Sequence, residues 1–329
     1  MTEDETWQPT EIAPMAFDVS ADVAGLTAVA SRIDLDTILI RHRALVFRGF
    51  DITPATLDAA VDRLLPNRLA YLHGNTPRVN LGDNIYTSTE YPAEQSISMH
   101  SELSYAHRWP ARLLFYCEHP ARSGGATAIC DTGRWLASID PAVRHAFGAG
   151  LRYTQNLHSG RGLGRSWQET FETDDRDEVE RFLADGHASW SWTQNGLRVT
   201  QDRSATTLHS VTGEEVWFNQ VDQWHHAGLP GEVRAALLEL LTEDEMPQSV
   251  TFADGTPIPA DHVTHVREMG WRHAVDVDWR AGELLLVDNV LAAHARRSYS
   301  GPRRVLVAMS GPTHRDTRAA AHASVISSR

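Results

Sequence analysis

Val275-Asp276-Val277-Asp278-Trp279-Arg280-Ala281-Gly282-Glu283-Leu284-Leu285-Leu286-Val287-Asp288-Asn289 is the stretch whose reading decides the fold. Its first five residues alternate apolar and acidic, the period of a half-buried strand. Arg280-Ala281-Gly282-Glu283 reads as a turn, Leu284 to Val287 as a second strand, and Asp288-Asn289 as its stop. After the turn Ser300-Gly301-Pro302 a further strand spans Arg304 to Met309. Upstream, Leu113 to Cys117 and Ala126 to Cys130 are short apolar runs separated by Ser123-Gly124-Gly125. Trp190 to Trp192, Leu197 to Gln201 and Val216 to Asn219 read as strands too, as does Ala44 to Phe50, which ends at a glycine. Helical patterns intervene. One follows Thr53 as cap and Pro54 as first residue, with Leu57, Ala60, Val61 and Leu64 on one face. Others cover residues 134–147, 177–183 and 232–241. No Gly-x-Gly-x-x-Gly occurs, nor the strand–helix alternation of a parallel sheet. The expected fold is mainly β with helical insertions, a double-stranded β-helix or jelly-roll core. Residues 21–315 are expected to form a single domain, with an N-terminal extension over 1–20 and a flexible tail over 316–329.

Composition narrows the function classes. The chain has 329 residues, 42% of them hydrophobic, enough for a packed core, and a net charge of −13. That charge argues against a nucleic-acid or anionic-membrane partner, both of which want a basic surface. No apolar run approaches the roughly 20 residues that span a bilayer, and Met1-Thr2-Glu3-Asp4-Glu5 is not a secretory signal, so the cytoplasm is the expected compartment. All 30 basic residues are arginines. Without lysine there is no Schiff base to pyridoxal phosphate and no P-loop lysine. The two cysteines, Cys117 and Cys130, sit in apolar runs and read as buried reduced thiols.

Chemistry enters with His100-Ser101-Glu102, His294 and Arg304. Residues two apart on an extended segment share a face, so His100 and Glu102 are expected to project together. His294 lies just beyond the Leu284–Val287 strand, where a jelly roll could return it beside them. Two imidazoles and a carboxylate suit iron(II) and leave open positions for a chelating co-substrate and dioxygen. An arginine offers a carboxylate two parallel charge-assisted hydrogen bonds. The triplet alone says little, since about two His-x-Asp/Glu triplets are expected by chance in this composition. The second one, His314-Arg315-Asp316, has almost no chain after it to supply a distal ligand and reads as a decoy.

Seven blocks in order give the triplet its weight: Tyr86–Pro92, His100–Tyr105, Gly124–Thr127, Trp217–Gln220, Asp288-Asn289, His294, and Gly301–Arg304. Through them, from about Ala44 to Gly311, the sequence resembles the taurine dioxygenase-like (TauD/TfdA) iron(II)/2-oxoglutarate dioxygenases, and within them a SyrP-like branch linked to amino-acid modification. The resemblance implies His100, Glu102 and His294 as iron ligands. It implies Thr127 and Arg304 as the partners of the distal carboxylate of 2-oxoglutarate, with Arg303 the alternative, because strand alternation lets one of the two face the pocket. Asn219, whose strand-end amide suits orienting a polar substrate, and Tyr105 are the expected substrate contacts. Many relatives carry a further arginine four residues after the co-substrate arginine, aimed at an acidic substrate; here that position is Ala308, which argues against a sulfonate or aryloxyacetate. Halogenating cousins lack the carboxylate ligand, and Glu102 is present.

The expected activity is hydroxylation of an unactivated C–H bond of an amino acid or derivative, free or tethered to a carrier protein, in specialised-metabolite synthesis. Succinate and carbon dioxide would be the co-products. Desaturation or cyclisation by the same chemistry, a zinc hydrolase and a non-catalytic metal-binding jelly roll are the alternatives. The pair His225-His226 is not expected to share a ligand, because neighbours in a strand point to opposite faces. Trp217 and Phe218 read as core, and the acidic runs 174–177 and 243–245 as solvated faces or caps.

Overall fold

The computed structural model describes residues 7–69, 79, 81–88 and 91–314. Two sheets stack across a shared core. The larger has the order Thr10–Ile12, Ala44–Phe47, Leu284–Asp288, Arg108–His119, Arg304–His314, Ile85–Thr87. Its pairings are antiparallel except for the first, which is parallel. The smaller has the order Val275–Val277, Thr127–Asp131, Ala292–Arg296, Ile97–His100, antiparallel throughout. This is the expected jelly-roll core, with helical residues about as numerous as strand residues.

The apolar run Leu284–Val287 is continuous because the larger sheet is covered on both faces. Leu285 and Val287, with Leu113, Phe115, Val305 and Val307 beside them, face the core shared with the smaller sheet. Leu284 and Leu286, with Leu114, Tyr116 and Leu306, pack instead under the helices Val23–Arg32 and Leu57–Leu64. Leu57, Ala60, Val61 and Leu64 form the buried face of the latter, as their spacing requires. That helix begins three residues later than Pro54 suggests. The Thr53 N–H donates to Thr56 Oγ1 (3.0 Å) and the Thr56 N–H to the Thr53 carbonyl (3.0 Å), closing a separate turn first.

Other boundaries shift for local reasons. The helix expected over 134–147 is two, Thr132–Ser138 and Pro141–Phe147, because Pro141 cannot continue a helix and Asp140 caps a new one. Gly231–Leu240 buries no residue despite its apolar spacing. Thr10–Ile12 lies in the stretch expected as an extension yet is a strand of the larger sheet, so the folded unit begins earlier than expected. The expected tail, 316–329, lies outside the described residues. A third sheet, Gln248–Phe252, Leu151–His158, Gly196–Arg203, Ser189–Thr193, is inserted between Asp131 and Val275. Among the described residues no helix is long and apolar enough to cross a membrane.

The turn at Ser123-Gly124 is pinned to Tyr299–Ser300. Gly124 has φ 70°, and a Cβ there would meet the Ser298 carbonyl oxygen at 2.3 Å. Gly124→Ala is therefore expected to destabilise the protein by about 1–3 kcal/mol, read as a lower urea midpoint at unchanged slope.

Candidate metal centre

Ile97–His100 and Ala292–Arg296 pair in a register that sets His294 directly opposite His100. Cross-strand partners share a face, and the two imidazole centroids are 4.2 Å apart. The strand ends at His100, so the expectation of one extended segment through Glu102 does not hold. A turn replaces it: the Ser104 N–H donates to the Ser101 carbonyl and the Ala106 N–H to the Leu103 carbonyl, with Leu103 at φ 54°. A β-branch-free but non-glycine residue in that region costs of order 1 kcal/mol or more, which the surrounding contacts must offset. The turn brings Glu102 Oε2 to 3.9 Å from His294 Nε2. One donor atom from each of His100, Glu102 and His294 lies within 4.8 Å of the others, and all three residues are buried.

Two amide side chains hold this turn. Asn289 Oδ1 accepts from the Glu102 N–H (2.7 Å), while Asn289 Nδ2 donates to the Glu102 carbonyl (3.0 Å) and the Pro110 carbonyl (2.8 Å). Gln220 Nε2 donates to the Ser101 carbonyl (2.9 Å). Asn289 and Gln220 stand in the quoted sequence blocks, but their use as backbone clamps depends on partners far away in the chain. His100 Nδ1 lies 2.9 Å from the Ser98 carbonyl, which can only accept. Nδ1 therefore carries the proton, and Nε2 keeps the lone pair a metal needs. Two imidazoles and a carboxylate without thiolate fit an oxygen-activating iron(II). Burial pushes Cys117 up to about 12 and raises Cys130 as well, so both thiols stay protonated.

A cavity of about 40 Å³ adjoins the histidines, walled by Phe115, Val305 and Val307 and by Thr127, Arg296 and Arg303. Thr127 Oγ1 accepts from Trp279 Nε1 at 2.9 Å. Arg303 Nε donates to the Gly125 carbonyl at 3.0 Å. Gly125 leaves room for that side chain, since a Cβ there would sit 3.1 Å from Arg303 Cδ. Arg304, the arginine preferred for this role, does not line the cavity: its side chain is half exposed and paired with Glu118. Residues 303, 305 and 307 share the pocket face by plain alternation, and Val305 and Val307 in the core set that phase. Four residues after the pocket arginine stands Val307, not Ala308, and the position is again apolar.

Neither expected substrate contact, Asn219 or Tyr105, lines this cavity. Asn219 spends its amide on backbone, Nδ2 donating to the Ala205 carbonyl and Oδ1 accepting from the Val221 N–H. Tyr105 is in the core, its ring 4.9 Å from Trp224 and 6.2 Å from Tyr153, and its carbonyl accepts from Arg203 Nε. His225 and His226 are not in a strand; their rings stack at 4.3 Å where a short helix meets a 3-10 turn. The His225 Nε2–H donates to the Ile258 carbonyl and its Nδ1 accepts from the Ala227 N–H. Burial, then His226, push its pKa down to about 4. Trp217 and Phe218 are core, as read. Asp175 caps a helix and Glu245 completes a capping box with Thr242. The decoy triplet lies partly outside the described residues. A larger cavity, about 700 Å³, opens by the third sheet, and the three donor residues do not line it. Its charges are already matched, Arg152 with Asp202, Arg198 with Asp244, His226 with Glu243.

Set beside known proteins, residues 11–309 match the family described as taurine catabolism dioxygenase TauD, TfdA family. The chain is 35% identical over 307 residues to the dapdiamide synthesis protein DdaC of Enterobacter agglomerans, covering 92% of this chain and 93% of that one. It is 29% identical over 317 residues to a clavaminate synthase-like protein of Arabidopsis thaliana, again covering 92% and 93%. A Burkholderia xenovorans structure assigned as an alpha-ketoglutarate dependent 2,4-D dioxygenase has the same fold, with TM-score 0.50 at 14% identity over 93% of this chain and 95% of that one. The chain belongs to the TauD, TfdA family. It is a dioxygenase that works with iron(II), 2-oxoglutarate and dioxygen.

Asn289→Ala strips two hydrogen bonds from Glu102 and one from the Pro110 carbonyl, and is expected to lower iron(II) affinity about 10- to 100-fold in a chelator competition. The folded-state pKa of His225 lies below its unfolded value, so its contribution is complete above about pH 6.5 and is lost as pH falls toward about 4. The urea midpoint is expected to drop between about pH 7 and about pH 5, and to drop less in His225→Gln.

Proposed function

Starting from that family membership, we propose that the protein is an iron(II)- and 2-oxoglutarate-dependent hydroxylase of an amino acid or amino-acid derivative in specialised-metabolite synthesis. The observation that carries the reading is the convergence of His100, Glu102 and His294 on one buried point beside a cavity whose far wall is Thr127 and Arg303. His100, Glu102 and His294 hold the iron. Arg303 and the Thr127 hydroxyl take the distal carboxylate of 2-oxoglutarate. Burial, and then the nearby Arg296, pull the Arg303 pKa down to about 10, which leaves it a cation at neutral pH. The indole N–H of Trp279 occupies a lone pair of Thr127 Oγ1 and so leaves its hydroxyl hydrogen to point at a ligand oxygen.

When bound, the iron couples oxidative decarboxylation of 2-oxoglutarate, to succinate and carbon dioxide, with transfer of the other oxygen atom of dioxygen to a substrate C–H bond. The chain supplies position and dryness. Phe115, Val305 and Val307 keep water from the co-substrate. Val307, where an acid-binding arginine would stand, speaks against a sulfonate or aryloxyacetate. Among the relatives, the dapdiamide synthesis protein supports a small amino-acid-type substrate, free or presented on a carrier protein.

Anaerobic addition of iron(II) and then 2-oxoglutarate is expected to give the visible charge-transfer band of the chelate, absent in His100→Ala. Arg303→Gln is expected to raise the 2-oxoglutarate requirement at least about tenfold, the loss of a charge-assisted pair, while Arg304→Gln changes it little. Equal effects of the two, or none, would remove Arg303 from its role. Succinate release stimulated by no member of an amino-acid panel, free or carrier-bound, would remove the substrate class.

A further inference from the structure

Arg296 has no part in the reaction outlined above, yet it is among the most constrained side chains of the molecule. It follows His294 by two residues on one strand and so emerges on the same face, into the wall of the same cavity. Only 6% of it is exposed. Its Nη1 donates to the Tyr91 carbonyl (3.0 Å) and its Nη2 to the Pro92 (2.6 Å) and Gln95 (2.7 Å) carbonyls. One guanidinium thus gathers three carbonyls of the 91–95 turn against the pocket. Its Nε is buried and finds no acceptor among the described residues.

The second observation is electrostatic. The Tyr299 ring is shared by two guanidinium carbons, its centroid 5.0 Å from that of Arg296 and 5.6 Å from that of Arg303. Among the described residues no carboxylate forms an ion pair with either arginine. Glu94 acts on Arg296 only from beyond ion-pair distance, so two buried cations that disfavour each other are costly to keep unless an anion completes the site. The cavity between them and the histidines is where that anion would sit.

We propose that Arg296, Tyr299 and Arg303 form a two-cation cradle for the distal carboxylate of the 2-oxo acid. Arg303 makes the direct contact. Arg296 is a positioning residue that supplies the second charge and ties the 91–95 turn over the bound acid. The ring of Tyr299 favours both guanidiniums by cation–π attraction. The cradle rests on the co-substrate reading of the cavity, and its signature is selectivity: it acts on a dicarboxylate and ignores a 2-oxo acid lacking the distal group.

The test is equilibrium binding to the manganese(II)-loaded, non-turning-over protein, followed by tryptophan fluorescence, with 2-oxoglutarate and pyruvate as paired probes. Arg296→Gln is expected to weaken 2-oxoglutarate about tenfold or more and pyruvate less than about twofold. Arg296→Lys retains charge but cannot cap three carbonyls. It is expected to keep most of the preference for 2-oxoglutarate while the 91–95 turn becomes more susceptible to limited proteolysis. Equal weakening of both acids in Arg296→Gln, or loss of selectivity in Arg296→Lys as large as in a neutral variant, overturns the cradle. If Arg296→Gln does not fold, Arg296→Met serves as the neutral variant in the same comparison. Wild-type protein that binds 2-oxoglutarate no better than pyruvate would instead sink the co-substrate reading itself, whatever the Arg296 variants do.

Discussion

Everything at the metal centre hangs on the register between Ile97–His100 and Ala292–Arg296. His294 stands opposite His100, and a slip of one residue would send one imidazole to the far face of the sheet. The register is held from several sides. Asn289 locks the chain just after residue 100 to the strand end just before residue 294. Arg296 fastens the 91–95 turn to the same strand. The core beneath is filled by Phe115, Ile129 and Leu285 from both sheets. A charged, hydrogen-bonded site is thus fixed by backbone pairing, with side-chain amides serving to make that pairing unique.

The pocket is polarised along its length. At one end stands the Glu102 carboxylate with two imidazoles, and at the other stand two buried guanidiniums. Apolar side chains line the space between. Such an arrangement favours a ligand with a chelating head and an anionic tail, and it orients that ligand before any chemistry occurs.

Much of this was legible in the sequence, and the failures share a cause. Alternation and turn residues disclose strands such as Leu284–Asp288, and ordered motif blocks disclose His100, Glu102 and His294. What the sequence does not disclose is phase. Strand alternation says that one of Arg303 and Arg304 faces the pocket; the burial of Val305 and Val307 in the shared core puts Arg303 on that side. The neighbours Asn219 and Gln220 are equally polar, yet the former ties down the Ala205 and Val221 backbone and the latter reaches the ligand turn. For His225 and His226 the error was conformational: a strand would separate the rings, whereas the helix junction stacks them. Each of these outcomes depends on tertiary contacts that no local pattern encodes.

The clamp between Asn289 and Glu102 joins residues 187 apart in sequence. While the chain is being made, the first histidine and the carboxylate emerge long before the strand that closes the set. The inserted third sheet and its helices must therefore organise without any help from the ion. Contacts of such long range are formed late and slowly. An ion that recognises the closed set binds the native state and not the partly folded one, so it deepens the native well and slows unfolding while leaving the rate of reaching it nearly unchanged.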